Sequence, residues 1–195
     1  MTDPFDPQDD TATPIDDEEK DALIPSYITT RGELNEAEQR NILEAEEWAF
    51  TRKRDVLDER FLDNLHKRMF RYVWKWAGTH RCTGKNIGVD AYKIPTELRR
   101  MIDDCHYWID NGTYPPDEIA AKFHHRLVWI HAYPNGNGRH ARLATNLLLK
   151  ALGESRFSWG QHHLVDAGQT RQSYVAALRA ADNHDFSPLI DFVRS

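Results

Sequence analysis

The chain is predicted to fold as a mainly α-helical domain with one small β-hairpin. Apolar residues recur along most of the chain at the spacing of one helix face. Only residues 79–94 combine glycines with strand-forming residues. Forty per cent of the 195 residues are hydrophobic, which is enough for one core.

Acidic residues are concentrated at the N-terminus. Residues 1–21 hold nine acidic residues and one lysine, and the whole chain has a net charge of -6. Because large apolar side chains are scarce there, residues 1–22 are predicted to form a disordered tail. The remainder is nearly neutral and has no basic stripe, so nucleic acid is not an expected partner.

The chain has only two cysteines, no signal peptide and no apolar run of membrane-spanning length. These features are typical of a soluble cytoplasmic protein with reduced thiols, and a membrane is not an expected partner.

Two helices are predicted in the first half of the chain. Asn35 is a good N-cap for a helix over 35–50, with Ile42, Leu43 and Trp48 on its apolar side. The second helix covers about 58–74 and closes at Gly78.

A hairpin over 79–94 and five more helices are predicted next. Pro95 begins a helix that stops at Asn111-Gly112. The others cover about 116–130, 139–152, 166–182 and a short segment opened by Ser187-Pro188.

Residues 131–142 read HAYPNGNGRHAR and are predicted to bind phosphate. Gly136 and Gly138 let backbone N–H groups turn inward as an anion-binding nest, and the Asn137 amide adds a donor. Arg139 and Arg142 lie three positions apart on one helix face, and the N-terminus of that helix also attracts anions. His131 is predicted to act as the base, because imidazole changes charge near neutral pH.

A plain helix-loop-helix turn is the alternative reading of this motif. It would explain the glycines as turn residues and the arginines as partners of surface acids. A plain turn does not explain why a histidine and two arginines occur at these positions. Six fixed positions of this kind would arise by chance in a chain of this size fewer than roughly once in a hundred thousand.

The motif resembles HPFx(D/E)GNGRxxR, the signature of the Fic/Doc family. FHHRLVWIHAY and ARLATNLLL beside the motif, and WKWAGTHRCTGKNIGVDAYKIP at 74–95, are similar to the family's flanking helices and its flap. The resemblance implies a Fic-fold helical bundle with a β-hairpin flap. It divides the chain into an N-terminal helical segment over 23–57, a candidate regulatory element, and a Fic domain over 58–195. PNGNGRHAR and YITTRGELNEAEQRNILEAE are similar to a bacterial subgroup named mobile mystery protein B.

The resemblance implies a protein adenylyltransferase that moves AMP from ATP to a Ser, Thr or Tyr hydroxyl of an intracellular target protein. It makes His131 the catalytic base and Asn137 a phosphate-holding residue. Gly136 and Gly138 become the anion hole, and Arg139 and Arg142 hold the β and γ phosphates. Mg²⁺ is an expected companion of the nucleotide.

Two motif positions depart from the family pattern. Tyr133 replaces phenylalanine, which requires a partner for its hydroxyl. Asn135 occupies the position of the acid that binds Mg²⁺, and a neutral amide oxygen is a weaker ligand for this hard cation. Phosphoryl or UMP transfer through the same site, or a non-catalytic nucleotide-binding or partner-binding module, therefore stay open as alternatives.

Two further segments are candidates for target binding and for control. The residues Lys85, Asn86, Ile87, Gly88 and Val89 resemble the flap with which family members grip a target, or they form an ordinary surface hairpin. Glu33 lies in TTRGE, a near match to an inhibitory motif, and reaching Arg142 would block the γ phosphate; a solvated loop acid is the alternative. A separate regulator is conceivable, although the sequence does not show one.

Overall fold

A computed structural model describes residues 17–161 and 167–195 of the chain. The helices are α1 (Asp17–Lys20), α2 (Arg31–Phe50), α3 (Glu59–Phe70), α4 (Ile94–Asp110), α5 (Pro116–Ile130), α6 (Asn137–Leu152), α7 (Ala167–Asp182) and α8 (Ser187–Arg194), with a 3₁₀ turn at Ala91–Lys93. The predicted mainly helical class is confirmed.

Two helix boundaries in the first half differ from the predicted ones. α2 begins four residues early, because Thr30 and Glu33 form a capping box in which each side chain binds the other residue's backbone N–H. α3 ends at Phe70, because the following residues pair with the chain before α2. Ile24 N donates to Val73 O at 2.8 Å and Lys75 N donates to Ala22 O at 2.9 Å.

The predicted β-hairpin is wrong. Residues 79–90 are all described and contain no strand. A hairpin needs its carbonyl groups to face a second strand. Here the guanidinium of Arg81 instead donates hydrogen bonds to the carbonyl oxygens of Thr83 and Val89. In addition, Val89 N donates to Ile130 O at 3.4 Å. Residues 83–89, called the flap loop below, are therefore attached to the end of α5.

Parts of two other predicted segments lie outside the described residues. Residues 1–16 of the predicted disordered tail lie outside them, as does Asp166 at the predicted start of α7. Residues 17–22 of that tail differ from the prediction, since they form α1 and the turn after it.

α5 and α6 lie between two clusters of buried apolar side chains. In one buried cluster, side chains of α2, α3 and α4 pack against these two helices. The cluster includes Leu65 and Phe70 of α3 and Leu148 of α6. A second cluster packs α7 and α8 against the other side, around Leu149 and Phe192. The loop that joins α5 to α6 is thereby held between two rigid helices. No helix in the described part of the chain is both long and apolar enough to cross a bilayer.

Candidate active site

His131 ends α5 in the left-handed conformation, with φ 54° and ψ 58°. Few residues other than glycine adopt this conformation, and it directs the chain sharply out of the helix. The side chain lines a cavity but is only 5% exposed. Burial lowers the pKa of His131 to about 4, while a hydrogen bond with the Val128 backbone opposes this and the charges of Arg81 and Lys85 add to it. The imidazole is therefore neutral at pH 7 and can accept a proton.

Asn137 closes the loop between the two helices. Its Oδ1 accepts a hydrogen bond from Tyr133 N at 2.9 Å, and its Nδ2 donates to Tyr133 O at 2.7 Å. This side chain was predicted to hold phosphate, but both of its polar atoms bind the main chain of Tyr133. It therefore stabilises the loop whose backbone N–H groups were predicted to bind the anion. Its own position as the first residue of α6 points the helix N-terminus at the cavity.

The two motif glycines have different reasons to be glycine. Gly136 has φ +78°, and a Cβ there would lie 2.5 Å from the ring of Phe70. Any side chain would therefore push the loop off α3. A Cβ at Gly138 would meet no atom within 4 Å, so its backbone borders open space in the cavity. That open space is where the predicted anion would lie.

Arg139 pairs with a glutamate of α2 that the sequence analysis did not single out. Its Nη1 lies 2.6 Å from Oε2 of Glu38, a residue only 5% exposed. The other oxygen of Glu38 accepts a hydrogen bond from Trp74 Nε1 at 2.7 Å. The Arg139 guanidinium also lies 5.0 Å from the centre of the Phe70 ring. Glu38 and Phe70 together fix the orientation of this arginine.

Arg142 is held by aromatic rings of the second cluster. Its guanidinium lies 4.9 Å from the ring centre of Tyr174 and 5.6 Å from that of Trp159. The Tyr174 hydroxyl forms a hydrogen bond with Arg142 and lies 2.7 Å from Nε2 of His124. This arginine therefore faces the cavity from a support built by α5 and α7.

Asn135 is bound on both its side chain and its backbone. Its Oδ1 accepts a hydrogen bond from Gly136 N at 2.6 Å and lies 3.4 Å from Nη2 of Arg139. Its carbonyl lies 3.1 Å from His66 Nε2, and Gly78 N donates to the other nitrogen of that ring at 3.0 Å. Since Gly78 donates to Nδ1, the ring carries its proton on Nε2 and donates to Asn135. Within the described residues, no group of three or more His, Cys, Asp or Glu side chains could hold a metal ion.

The departure at Tyr133 is accommodated. The hydroxyl donates to Asp63 Oδ1 at 2.8 Å, and the ring stacks on His66 with centroids 3.7 Å apart. The buried hydroxyl thus has the partner that the substitution requires.

Glu33 lies away from Arg142. Its Oε2 accepts hydrogen bonds from Thr29 N at 2.8 Å and Thr30 N at 3.0 Å, and these bonds lower the pKa of its carboxyl group. The carboxylate is used to cap α2 and makes no contact with the motif in the described structure. The α2 carboxylate that reaches the motif is Glu38, and it meets Arg139.

The motif borders a cavity of about 890 Å³, which we call the motif pocket. All seven motif residues that were predicted to act line it, namely His131, Asn135, Gly136, Asn137, Gly138, Arg139 and Arg142. Of the predicted flap residues, Asn86, Ile87 and Gly88 line it, while Lys85 and Val89 are not among its walls.

The sequence analysis missed two walls of the motif pocket. α2 contributes Arg31, Leu34, Asn35 and Glu38, and α7 contributes Arg171, Tyr174, Val175, Leu178, Arg179 and Asp182. On α7 the spacing of three and four residues marks a single helix face, which could have indicated a shared surface. Nothing in the sequence indicates that this face meets the motif.

Four buried histidines should make the protein less stable in mild acid. Burial lowers the pKa of His124 to about 3, those of His131 and His140 to about 4, and that of His66 well below its ordinary value. Between the ordinary value of about 6.5 and these values, only the unfolded chain binds their protons, so stability falls as pH falls. Each ring should lower the free energy of unfolding by about 1.4 kcal/mol per pH unit in that window. Urea unfolding at pH 7.0 and 5.5 measures this.

The control for that measurement is His140→Gln, whose amide can still donate to the Leu62 carbonyl that lies 3.0 Å from His140 Nε2. This variant should keep a smaller pH dependence than the parent protein. Equal unfolding midpoints at both pH values in the parent would contradict the burial of neutral imidazoles.

Comparison with known proteins finds a matching family model and several relatives. Residues 56–149 match the model of the Fic/DOC family. The chain is 29% identical over 133 residues to "Protein adenylyltransferase Fic" of Nematostella vectensis, covering 66% of this chain and 30% of that protein. It is 30% identical over 120 residues to "Protein adenylyltransferase fic-1" of Caenorhabditis elegans, covering 60% and 22%. The chain thus spans less than a third of the length of these curated relatives.

Solved structures share the fold. BepC of Bartonella tribocorum, solved with bound AMPPNP, superposes with a TM-score of 0.70 at 16% identity, covering 92% of this chain and 97% of that one. Fic-1 of C. elegans superposes with a TM-score of 0.66 at 23% identity, covering 90% and 51%. At these identities the likeness establishes the helical fold.

Proposed function

We propose that residues 56–149, which match the Fic/DOC family model, form a Fic domain, and that the protein uses this domain to transfer AMP from ATP to a hydroxyl side chain of a target protein. The observation that carries the proposal is a neutral, buried imidazole in the same pocket as two guanidinium groups and a helix N-terminus. The named activity of the relatives and the AMPPNP bound to BepC agree with it.

The motif pocket offers a place for each part of ATP. The triphosphate is proposed to lie between the N-terminus of α6 and the guanidinium groups of Arg139 and Arg142, because these groups are all positive. The nucleoside is proposed to lie between α5 and α7, where Val128, Trp129 and Leu178 line the wall. Trp129 is 41% exposed, so its ring is accessible to a base.

The proposed reaction is an in-line displacement at the α phosphorus. The acceptor hydroxyl gives its proton to the His131 imidazole, and its oxygen forms a bond to the α phosphorus. The bond between that phosphorus and the bridging oxygen breaks, and pyrophosphate leaves with the electron pair. Arg139 and Arg142 neutralise the charge that accumulates on the leaving phosphates.

The residues present do not fit a protein-bound Mg²⁺ ion at Asn135. The amide oxygen already accepts a hydrogen bond from Gly136 N at 2.6 Å and lies 3.4 Å from a cationic nitrogen of Arg139. A divalent cation there would meet a repelling charge and an occupied oxygen. We propose that any Mg²⁺ binds as part of the nucleotide complex, through the phosphates.

We propose that the flap loop receives the target. Asn86, Ile87 and Gly88 border the pocket that holds His131, so a segment bound along them would bring a hydroxyl to the imidazole. Ile87 is 43% exposed and offers an apolar contact. We propose main-chain hydrogen bonds between the target segment and residues 86–88, which lie between the two carbonyl groups bound by Arg81. A Ser, Thr or Tyr would each supply the acceptor.

We also propose that α2 belongs to the catalytic unit and is not a detachable regulatory segment. It supplies Arg31 and Glu38 to the pocket wall, and Glu38 holds Arg139 at 2.6 Å. Control by a separate protein and membership of the mobile mystery protein B subgroup remain proposals that rest on the sequence alone.

Labelled ATP tests the proposed reaction. The full chain is incubated with a cell lysate as a source of acceptors, in a buffer with Mg²⁺, and with ATP labelled at either the α or the γ phosphate. AMP transfer predicts protein labelling from α-labelled ATP and none from γ-labelled ATP. Labelling from the γ phosphate alone would indicate phosphoryl transfer, and labelling from neither would exclude transfer from ATP, as expected of a non-catalytic module or of a UMP transferase; both results would overturn the proposal. His131→Ala is the blank, and His106→Ala, at an exposed position on α4, is the matched control.

A further inference from the structure

Arg81 binds the end of α5 through its side chain and its backbone. Its Nε donates to His131 O at 2.6 Å, and Nη2 lies 3.5 Å from Ile130 O. Its backbone N donates to Ala132 O at 2.9 Å. Three consecutive carbonyl groups, of the residue before the candidate base, the base itself and the residue after it, therefore all meet this one residue.

These bonds stabilise an unfavourable backbone conformation. The last carbonyl groups of a helix have no partner within the helix, and a cation near them is favourable. His131 additionally has φ 54°, which is costly for a residue with a side chain. Arg81 is 4% exposed and supplies its donors exactly where the chain leaves the helix. The direction of the imidazole depends on this conformation.

The same guanidinium fixes the flap loop over His131. Nη1 donates to Thr83 O at 2.8 Å and Nη2 donates to Val89 O. A Cβ at Gly88 would lie 2.6 Å from Cβ of His131 and 2.8 Å from Nη2 of Arg81. The loop therefore passes in direct contact with the base, and only glycine allows this approach.

Arg81 also adds charge near the imidazole. Burial is the main reason that the pKa of His131 is lowered, and the charges of Arg81 and Lys85 lower it further. Other charged side chains that share the pocket are Arg31 and Glu38 from α2, Arg139 and Arg142 from α6, and Arg171, Arg179 and Asp182 from α7. Arg81 differs from these other residues because its guanidinium also binds the backbone of His131.

We infer that Arg81 is a positioning residue, which holds His131 and the flap loop in a fixed relation so that base and target meet in one geometry. This inference rests on the proposed function for its kinetic consequence, while its structural consequence can be measured without any reaction. A buried guanidinium bound to carbonyls at the end of α5 and at both ends of the flap loop can do this because its five N–H donors form a rigid planar fork.

Two variants of Arg81 distinguish the effect of the planar guanidinium group from the effect of its positive charge. Arg81→Lys keeps the charge and loses the fork, and Arg81→Gln loses both. We expect kcat for AMP transfer to fall about 10–100-fold in both, with KM for ATP changed by less than about threefold. In NMR titrations without nucleotide, the His131 resonance should titrate at a higher pH in Arg81→Gln than in the parent protein. Arg99→Lys, at an exposed arginine of α4, is the matched control.

Unchanged kcat in a folded Arg81→Lys protein would overturn the inference, since one ammonium group cannot replace the fork. An unchanged His131 titration in Arg81→Gln would overturn it as well. If Arg81→Gln does not fold, the Lys variant alone decides. If the parent protein transfers no AMP, the proposed function fails, and the His131 titration together with the flap-loop amide shifts of Arg81→Lys still decide on Arg81: amide shifts equal to those of the parent would overturn its positioning role.

Discussion

Replacing His131 by alanine should lower AMP transfer about 10²–10⁴-fold, the usual contribution of a general base. Burial lowers the pKa of this imidazole to about 4, so it is neutral over the physiological range and ready to accept a proton. Neither Arg139 nor Arg142 can replace it, because guanidinium groups stay protonated. Nucleotide affinity should change little, because the phosphates are proposed to contact α6 and its arginines. Initial rates and ATP binding by calorimetry measure both effects.

The proposed AMP transfer by the parent protein should also keep a level rate as the pH falls from 7 to 5. A base with the ordinary pKa of histidine would lose activity in that range. An alanine variant that keeps more than about a tenth of the parent rate would contradict the assignment of His131 as the base. His106→Ala should match the parent protein.

Replacing Arg142 by glutamine should lower kcat/KM about 10²–10³-fold, as is usual when a donor to developing charge is removed. The guanidinium is supported by the rings of Tyr174 and Trp159, which remain packed in the variant. Stability should therefore change little. The measurement combines kcat/KM for ATP with the urea midpoint.

Arg139→Gln is the matched comparison, and it should behave differently. Glu38 is 5% exposed and pairs with Arg139 at 2.6 Å, so removing the arginine leaves a buried carboxylate that keeps its bond to the Trp74 indole but loses this cationic partner. The variant should lose about 1–3 kcal/mol of stability in addition to activity. Equal loss of stability in both variants would contradict the different roles assigned to Glu38 and Tyr174, as would full activity of Arg142→Gln.

The sequence predicted the parts of the site that are local in the chain. The start of α3 depends on the cap Asp58, and the turn from α5 to α6 depends on Gly136, whose φ is positive, so neighbouring residues suffice to place both. The motif residues predicted to act together between positions 131 and 142 line one cavity in the structure. Tyrosine in place of phenylalanine at position 133 led us to expect a hydrogen-bond partner for the Tyr133 hydroxyl, and this partner is Asp63.

Contacts between distant segments could not be predicted in the same way. Glu38 and Arg139 are 101 positions apart, and Arg81 and His131 are 50 apart. Glu33 matched a pattern in the sequence, yet its carboxylate is used by the capping box of α2. The hairpin prediction failed for a related reason. Glycines and apolar residues indicated strands, while a single arginine elsewhere in the segment takes the carbonyl groups that a strand would use.

A crystal structure of the full chain with AMPPNP and Mg²⁺ tests the central claim most directly. The account predicts that the β and γ phosphates lie at the N-terminus of α6 beside Arg139 and Arg142, with the α phosphorus nearest to His131 and the base between α5 and α7. A γ phosphate next to His131, or a nucleotide bound outside the motif pocket, would contradict it.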